Sequence, residues 1–411
     1  MRFPMGAVWL CAAALCAALS LGSCSKAKDQ SAAAPRVVVI TPSEATAPGE
    51  FRGAEAFVRD YSEKPSDGAA RHAVFPDKLK PGDAAAVAAF IAETAADPGV
   101  RAIVVAPAPA GTAEGFRRAK DARAQGVRAE GAALLCVVSG AEDDRLLIES
   151  TADIVVDLDR VYRAYLIPWE AKKMGAGSLV AAFSRGEPSD PDAARELAIM
   201  SAASADLGLR FAAIKAPAGV DSAAFVRAGT GAWLRDYGPD AALSCSDPAL
   251  AAPLIAGAIA GGGMIVDAAG EATRASYAAS LGLDLSGAKG KPRKELRILE
   301  EAAAALGERG RLGLWGSGYS ESSARGLGEF AMRVCRGAAR KDEIKDLVAA
   351  LDARSDGAAW IADYDVDPES GVRSANRVLL RQDVYVLGKG YLQSALQAVP
   401  VKYLAIPSGV E

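Results

Sequence analysis

From residue 36 onward, short apolar runs alternate with segments whose apolar residues recur every three or four positions. Arg36-Val-Val-Val-Ile-Thr41 is a β-branched run closed by Pro42 and reads as a strand. Residues 49–61 have helical spacing, with Phe51, Phe57, Val58 and Tyr61 on one face. Residues 72–75 predict a short strand. Residues 83–95 predict a helix capped by Asp83, with Val87, Phe90 and Ile91 turned inward. Residues 101–106 are a strand ended by Pro107, 115–125 a helix ended by Gly126, and 133–139 and 153–156 two further strands.

The pattern then restarts. A helix over 160–174 is capped by Gly175, and a strand over 178–183 follows. The helix at 190–207 has an acidic start with Pro191 in its first turn. Strands at 210–215, 241–244 and 264–266 alternate with helices at 222–237 and 247–260, the latter capped by Asp247. Gly261-Gly262-Gly263 precedes a strand, so it is a helix stop and not a phosphate loop. A third region holds a helix at 294–306, a strand at 311–314 and helices at 320–336 and 341–353. Strand candidates close it at 358–361, 378–380, 384–386 and 401–404. The strands are near-continuous apolar runs, which fits parallel sheets covered on both faces. The expected fold is α/β: two doubly wound parallel-sheet lobes joined by hinge crossings, at 36–158 and 159–285. Residues 286–293 form a linker, and 286–411 return to complete both lobes.

The N-terminus changes the picture by supplying a location. Arg2 is followed by an apolar run at 7–21, too short to span a bilayer comfortably, and then by Leu21-Gly22-Ser23-Cys24. This ending resembles a bacterial lipobox. Residues 1–23 are therefore expected to be a lipoprotein signal, Cys24 the lipidated residue, and 24–35 a polar tether. An ordinary cleaved signal is the alternative. No later run has the length of a membrane span.

Composition narrows the function classes. The 411 residues are 51% hydrophobic and 24% charged, enough for a sizeable core. The net charge is −4, becoming −5 once Arg2 leaves with the signal, so nucleic acid is not an expected partner. One basic cluster, Lys289, Lys291, Arg293 and Lys294, reads as a solvated linker or helix start. Cys136, Cys245 and Cys335 show no Cys-x-x-Cys spacing and read as small hydrophobes, with a disulfide between two of them permitted by the compartment. A single histidine, His72, argues against multi-histidine metal sites and a hydrolytic triad. No cofactor or metal is expected.

The tethered pair of α/β halves resembles a type I periplasmic binding protein. A narrower resemblance rests on Ile167-Pro-Trp-Glu-Ala-Lys-Lys-Met-Gly-Ala176, Ala205-Asp-Leu-Gly-Leu209, Tyr237-Gly-Pro-Asp-Ala-Ala-Leu-Ser-Cys-Ser246 and Arg311-Leu-Gly-Leu-Trp315 preceded by Gly310. These segments are similar to those of domain of unknown function family 3798, uncharacterised bacterial proteins of the same fold. The chain departs from that family after Phe183, where Ser184-Arg-Gly-Glu-Pro188 replaces a Pro-Arg-His segment. The resemblance implies a binding-protein fold and supplies no activity.

In open α/β lobes, ligands sit beyond the carboxyl ends of the strands. The candidate ligand contacts are therefore Ser43, Glu44, Pro107, Ser139 and Asp157 in the first lobe, and Ser184, Arg185, Ser246 and Asp247 in the second. Trp315 and Tyr319 follow the late strand. Arg185 offers a planar fork for a carboxylate, a phosphate or a ribose-like oxygen, and Trp315 a stacking face. Turn, cap, surface ion-pair and packing roles are the competing readings. The expected function is an extracytoplasmic solute-binding lipoprotein that captures a small polar molecule, with an ABC-type transporter permease as implied partner. A ligand sensor for a membrane receptor is the alternative. A hydrolase using Asp363, Asp365 and Asp367 is a third reading, although that acidic run reads better as a turn.

Overall fold

The computed structural model describes residues 36–62, 69–76, 83–122, 134–140, 145–184, 191–289, 291–355, 357–367 and 370–407. Cys24, the tether and Arg185 lie outside them.

The first sheet explains its own apolar runs. In β1 (Arg36–Thr41), Val37 and Val39 enter one core while Val38 and Ile40 enter another on the opposite face. The same alternation holds in β3 (Val100–Val105) and β4 (Leu134–Val138). Both faces are dry, so both strand phases are apolar. With β2 (Ala70–Val74), β5 (Ile154–Leu158) and a late hairpin, β11 (Trp360–Val366) and β12 (Arg373–Gln382), the sheet runs β11-β12-β5-β4-β3-β1-β2. All neighbours pair in parallel except β11 with β12.

Helix α1 (Pro48–Ser62) packs on this sheet beside α11 (Tyr319–Cys335), with α12 (Ile344–Ala353) next to α11. The α1–α11 approach is very close. A Cβ on Gly53 would stand 2.3 Å from the Glu321 carbonyl oxygen, so only glycine fits. Helices α2 (Ala84–Ala96), α3 (Thr112–Ala122) and α4 (Arg145–Thr151) complete the first lobe. Phe116, Ile91 and Ile148 fill the core on the sheet's other face.

The second sheet holds β6 (Ser178–Phe183), β7 (Arg210–Lys215), β8 (Ala241–Cys245) and β9 (Met264–Ala268) in the order β7-β6-β8-β9, all parallel. A bridge between Ile265 and Leu312 extends it to β10 (Gly313–Leu314), β13 (Tyr385–Val386) and β14 (Gly390–Tyr391). Helices α5 (Arg160–Met174), α6 (Pro191–Asp206), α7 (Ser222–Tyr237), α8 (Ala251–Gly261), α9 (Arg274–Leu281) and α10 (Pro292–Ala305) surround these strands. Asp159 caps α5 by accepting the Tyr162 N–H at 3.1 Å, and Gly175 ends it at φ 101°. Gly262 ends α8 in the left-handed region, the expected helix stop.

The chain passes between the sheets after β5, after β10 and after β12. One apolar core runs through these crossings: Val37, Val104 and Val156 share it with Leu179, Ala181 and Ile199, through Trp315, Ile167 and Val384.

Several expected elements differ. Residues 401–404, expected as a strand, form a short helix, α13 (Val401–Leu404). Tyr403, the buried residue of this turn, packs against Tyr165 with ring centroids 5.1 Å apart. The short strand candidates at 358–361 and 378–380 belong to one long hairpin. Its edge strand β11 is half exposed, which breaks the apolar run that a buried strand shows. Helices α4 and α9 were not anticipated. The latter starts with a capping box in which Thr273 and Ser276 bond reciprocally. Cys136 and Cys245 are buried, Cys335 is half-buried, and no disulfide joins any two of them.

Candidate functional site

The first crossing, Leu158 to Arg160, is held by charge. Arg381 of β12 pairs with Asp159 at 3.0 Å and with Asp363 at 2.7 Å, and its guanidinium lies 4.0 Å from the centroid of the Tyr162 ring. Burial pushes the Asp159 carboxyl up to about 6, against the pull of Arg381. One turn into α5, the Arg163 Nε–H donates to Asp267 at 2.9 Å, with both side chains almost fully buried. Burial alone would lower the Arg163 pKa, but the Asp267 and Glu196 carboxylates outweigh it and raise it.

Beside this crossing lies a cavity of about 60 Å³ with walls from both lobes. The first lobe contributes Asp157, Arg377, Arg145 and Asp365, and the second Arg160, Arg195 and Glu196. Arg377 pairs with Asp157 and also lies 3.6 Å from Glu149. Arg145 pairs with Glu149 at 2.9 Å and with Asp365. Arg160 faces Glu196 at 3.2 Å across the second-lobe wall. Burial raises the Glu196 pKa, with Arg160 and Arg163 opposing it.

The second crossing runs through Trp315, Gly316, Ser317 and Gly318. Gln382 ties it to the third: its Nε2 donates to the Ser317 carbonyl at 2.8 Å, and its Oε1 accepts the Ser317 N–H at 3.3 Å. A second cavity, about 510 Å³, flanks this crossing and is lined by Thr273, Arg274, Lys289, Glu295, Ser317 and Glu321, among others. At its margin Glu271 accepts the Ser320 N–H at 2.8 Å. Burial raises the Glu271 carboxyl to about 7, with nearby Glu50 and Glu321 adding to the rise. A larger groove of about 670 Å³ lies between α7 and α8 on the second lobe, and no first-lobe residue lines it.

Of the residues expected from the sequence, Asp157 lines the interlobe cavity, and the Ser139 hydroxyl touches its Arg377 at 3.4 Å. Ser43, Glu44 and Pro107 sit beyond β1 and β3 without lining it, and Ser43 Oγ meets Thr46 Oγ1 at 3.3 Å in a turn. Ser184 and Ser246 follow β6 and β8, both half-buried and outside the cavity wall. Asp247 caps a 3₁₀ turn, accepting the Ala249 N–H at 2.8 Å. Trp315 requires a correction. It is only 2% exposed, edge-on to Trp360 at 6.0 Å with Arg163 above its ring, so it is a packing residue without an open stacking face. Tyr319 is likewise buried against Trp360.

The acidic run is spoken for. Asp363 and Asp365 pair with arginines, and Asp367 accepts from the Ser370 N–H and hydroxyl at 2.7 Å. No group of three metal-ligating side chains occurs among the described residues. His72 meets Thr41 Oγ1 at 2.8 Å and packs edge-on to Phe51, a strand-edge role. Sequence reasoning missed Arg145, Arg160, Arg195, Glu196 and Arg377 as cavity residues. Arg160, directly after the strand-end acids Asp157 and Asp159, carried the one local signal.

No helix among the described residues is long and apolar enough to cross a membrane. The fold is α/β, with two largely parallel-sheet lobes joined by three crossings. A crystal structure from Clostridium difficile 630, described as a candidate transcriptional regulator, aligns with a TM-score of 0.68 at 18% identity, covering 86% of this chain and 99% of that one; this likeness speaks for the fold alone. An uncharacterized protein of Treponema pallidum (strain Nichols) is 33% identical over 195 residues, covering 46% of this chain and 85% of its own length. A second protein of that strain is 36% identical over 121 residues, about half of its own length. A family profile, Protein of unknown function (DUF3798), matches residues 36–313, and a further undescribed profile matches 324–406. With most of its length matched, the chain belongs to the DUF3798 family.

Proposed function

We propose that this protein is an extracytoplasmic solute-binding protein, anchored through Cys24, that captures a small polar molecule between its lobes for an ABC-type transporter and performs no chemistry on it. The observation that carries the reading is the interlobe cavity whose charged walls come from β5 and β12 on one side and α5 and α6 on the other. A solute held there touches both lobes, and its binding energy then favours the arrangement in which they approach. The signal-like segment at 1–23 and the Cys24 that ends it support an extracytoplasmic site of action.

The test is mass spectrometry of small molecules released on denaturing protein purified from its own host, followed by titration of the identified compound into the stripped protein. A stoichiometric solute that rebinds supports the reading. Protein that releases nothing and gains no thermal stability from amino acids, sugars, nucleosides or organic acids sinks it.

A further inference from the structure

Arg195 is a buried cation whose charge no carboxylate among the described residues balances. It stands on α6 at 9% exposure and lines the interlobe cavity. Its Nη2 donates to the Leu404 carbonyl oxygen at 2.8 Å. Its Nε has no hydrogen-bond partner among the described residues, and none of their carboxylates pairs with it. The other three arginines of the cavity differ. Arg145 has Glu149 and Asp365, Arg160 has Glu196, and Arg377 has Asp157. A buried guanidinium without a counter-charge is strongly unfavourable, because the protein returns little of the lost hydration.

We propose that the counter-charge of Arg195 is a carboxylate carried by the solute, with Nε as its donor. This inference rests on the solute-binding reading of the same cavity. One unmatched positive charge calls for one negative charge. A phosphate, near two negative charges at neutral pH, would also face Asp157, Asp365 and Glu196 in the same walls. A neutral sugar would leave the guanidinium unmatched. The cavity's 60 Å³ is room for roughly four waters, or for a carboxylate head with the rest of the solute outside it. The planar fork of arginine suits a carboxylate in a way the compact ammonium of lysine does not.

The experiment uses the full chain from its own host, as wild type and as Arg195→Gln. Solute released from the wild type is identified by mass spectrometry and titrated by calorimetry into both stripped proteins. The expected solute bears a carboxylate and binds Arg195→Gln roughly 10- to 100-fold more weakly, the loss of one charge-assisted hydrogen bond. Stripped Arg195→Gln should melt no lower than stripped wild type, since an unmatched buried cation does not stabilise the free protein. Three results overturn the inference while the solute-binding reading stands: a released solute without a carboxylate, equal affinity in the variant, or a large drop in the variant's solute-free melting temperature. A wild type that releases and binds nothing overturns the solute-binding reading itself. Should Arg195→Gln fail to fold, the variant's drop in stability marks Arg195 as structural and overturns the inference.

Discussion

The Glu271 carboxylate accepts the Ser320 backbone N–H at 2.8 Å, which ties the loop after β9 to the first turn of α11 at the second crossing. The carboxyl titrates at about 7, raised first by burial and then by Glu50 and Glu321. In the unfolded chain a glutamate titrates near ~4.3. Between those two values the folded chain binds more protons than the unfolded one. The contribution of Glu271 to stability is therefore greatest below about pH 4.3 and declines as pH rises to 7. Glu271→Gln keeps an acceptor for Ser320 and removes the titration. Urea unfolding at pH 4.5 and 7.5 should show a smaller loss of stability with rising pH in the variant. Identical slopes in the two proteins would refute this account.

The Arg163–Asp267 pair, with both side chains at or below 3% exposure, predicts an asymmetry. Arg163→Met leaves Asp267 buried without its partner and should destabilise by about 3–5 kcal/mol. Adding Asp267→Asn removes the stranded charge and should recover part of that loss. Chemical unfolding of the two variants decides it; a double variant less stable than Arg163→Met would contradict the assignment of the cost to the uncompensated carboxylate.

Two helical glycines should respond in opposite directions to alanine. At Gly53 the new Cβ would meet the Glu321 carbonyl oxygen at 2.3 Å, so α1 and α11 must separate, at a cost of about 1–3 kcal/mol. At Gly231 it meets nothing nearer than Arg235 Nη1 at 3.8 Å, and the gain in helix propensity is up to ~1 kcal/mol. Melting temperatures of Gly53→Ala and Gly231→Ala should move down and up respectively. A neutral Gly53→Ala would show that the helices yield more easily than their spacing implies.

The anchoring proposal is tested at Cys24. Cys24→Ser should move the protein from the detergent phase to the aqueous phase on partitioning, because the residue that would carry the acyl chains is gone. An unchanged detergent fraction would remove the anchor from the proposal.

Much of the architecture was legible because each strand carries its environment in its own letters. Val37 to Ile40 is apolar in both phases because both sheet faces are covered, and Gly175 and Gly262 end helices in the left-handed region that glycine tolerates. The late hairpin was legible only in fragments. Arg377 and Arg381 look like surface positions in a sequence, yet they are 6% and 5% exposed because Asp157, Asp159 and Asp363, from β5, the first crossing and β11, meet them. Trp315 shows the same limit. Its flanking glycines and strand-end position suited a ligand contact, and its burial follows from Trp360 and Arg163, which reach it only once the crossings are made. The cavity joins Asp157, Arg195 and Arg377 from three distant segments. Local periodicity determined which elements form and which faces they bury. Which charges face one another was decided by the order in which the chain crosses between lobes, a long-range pairing that no local pattern encodes.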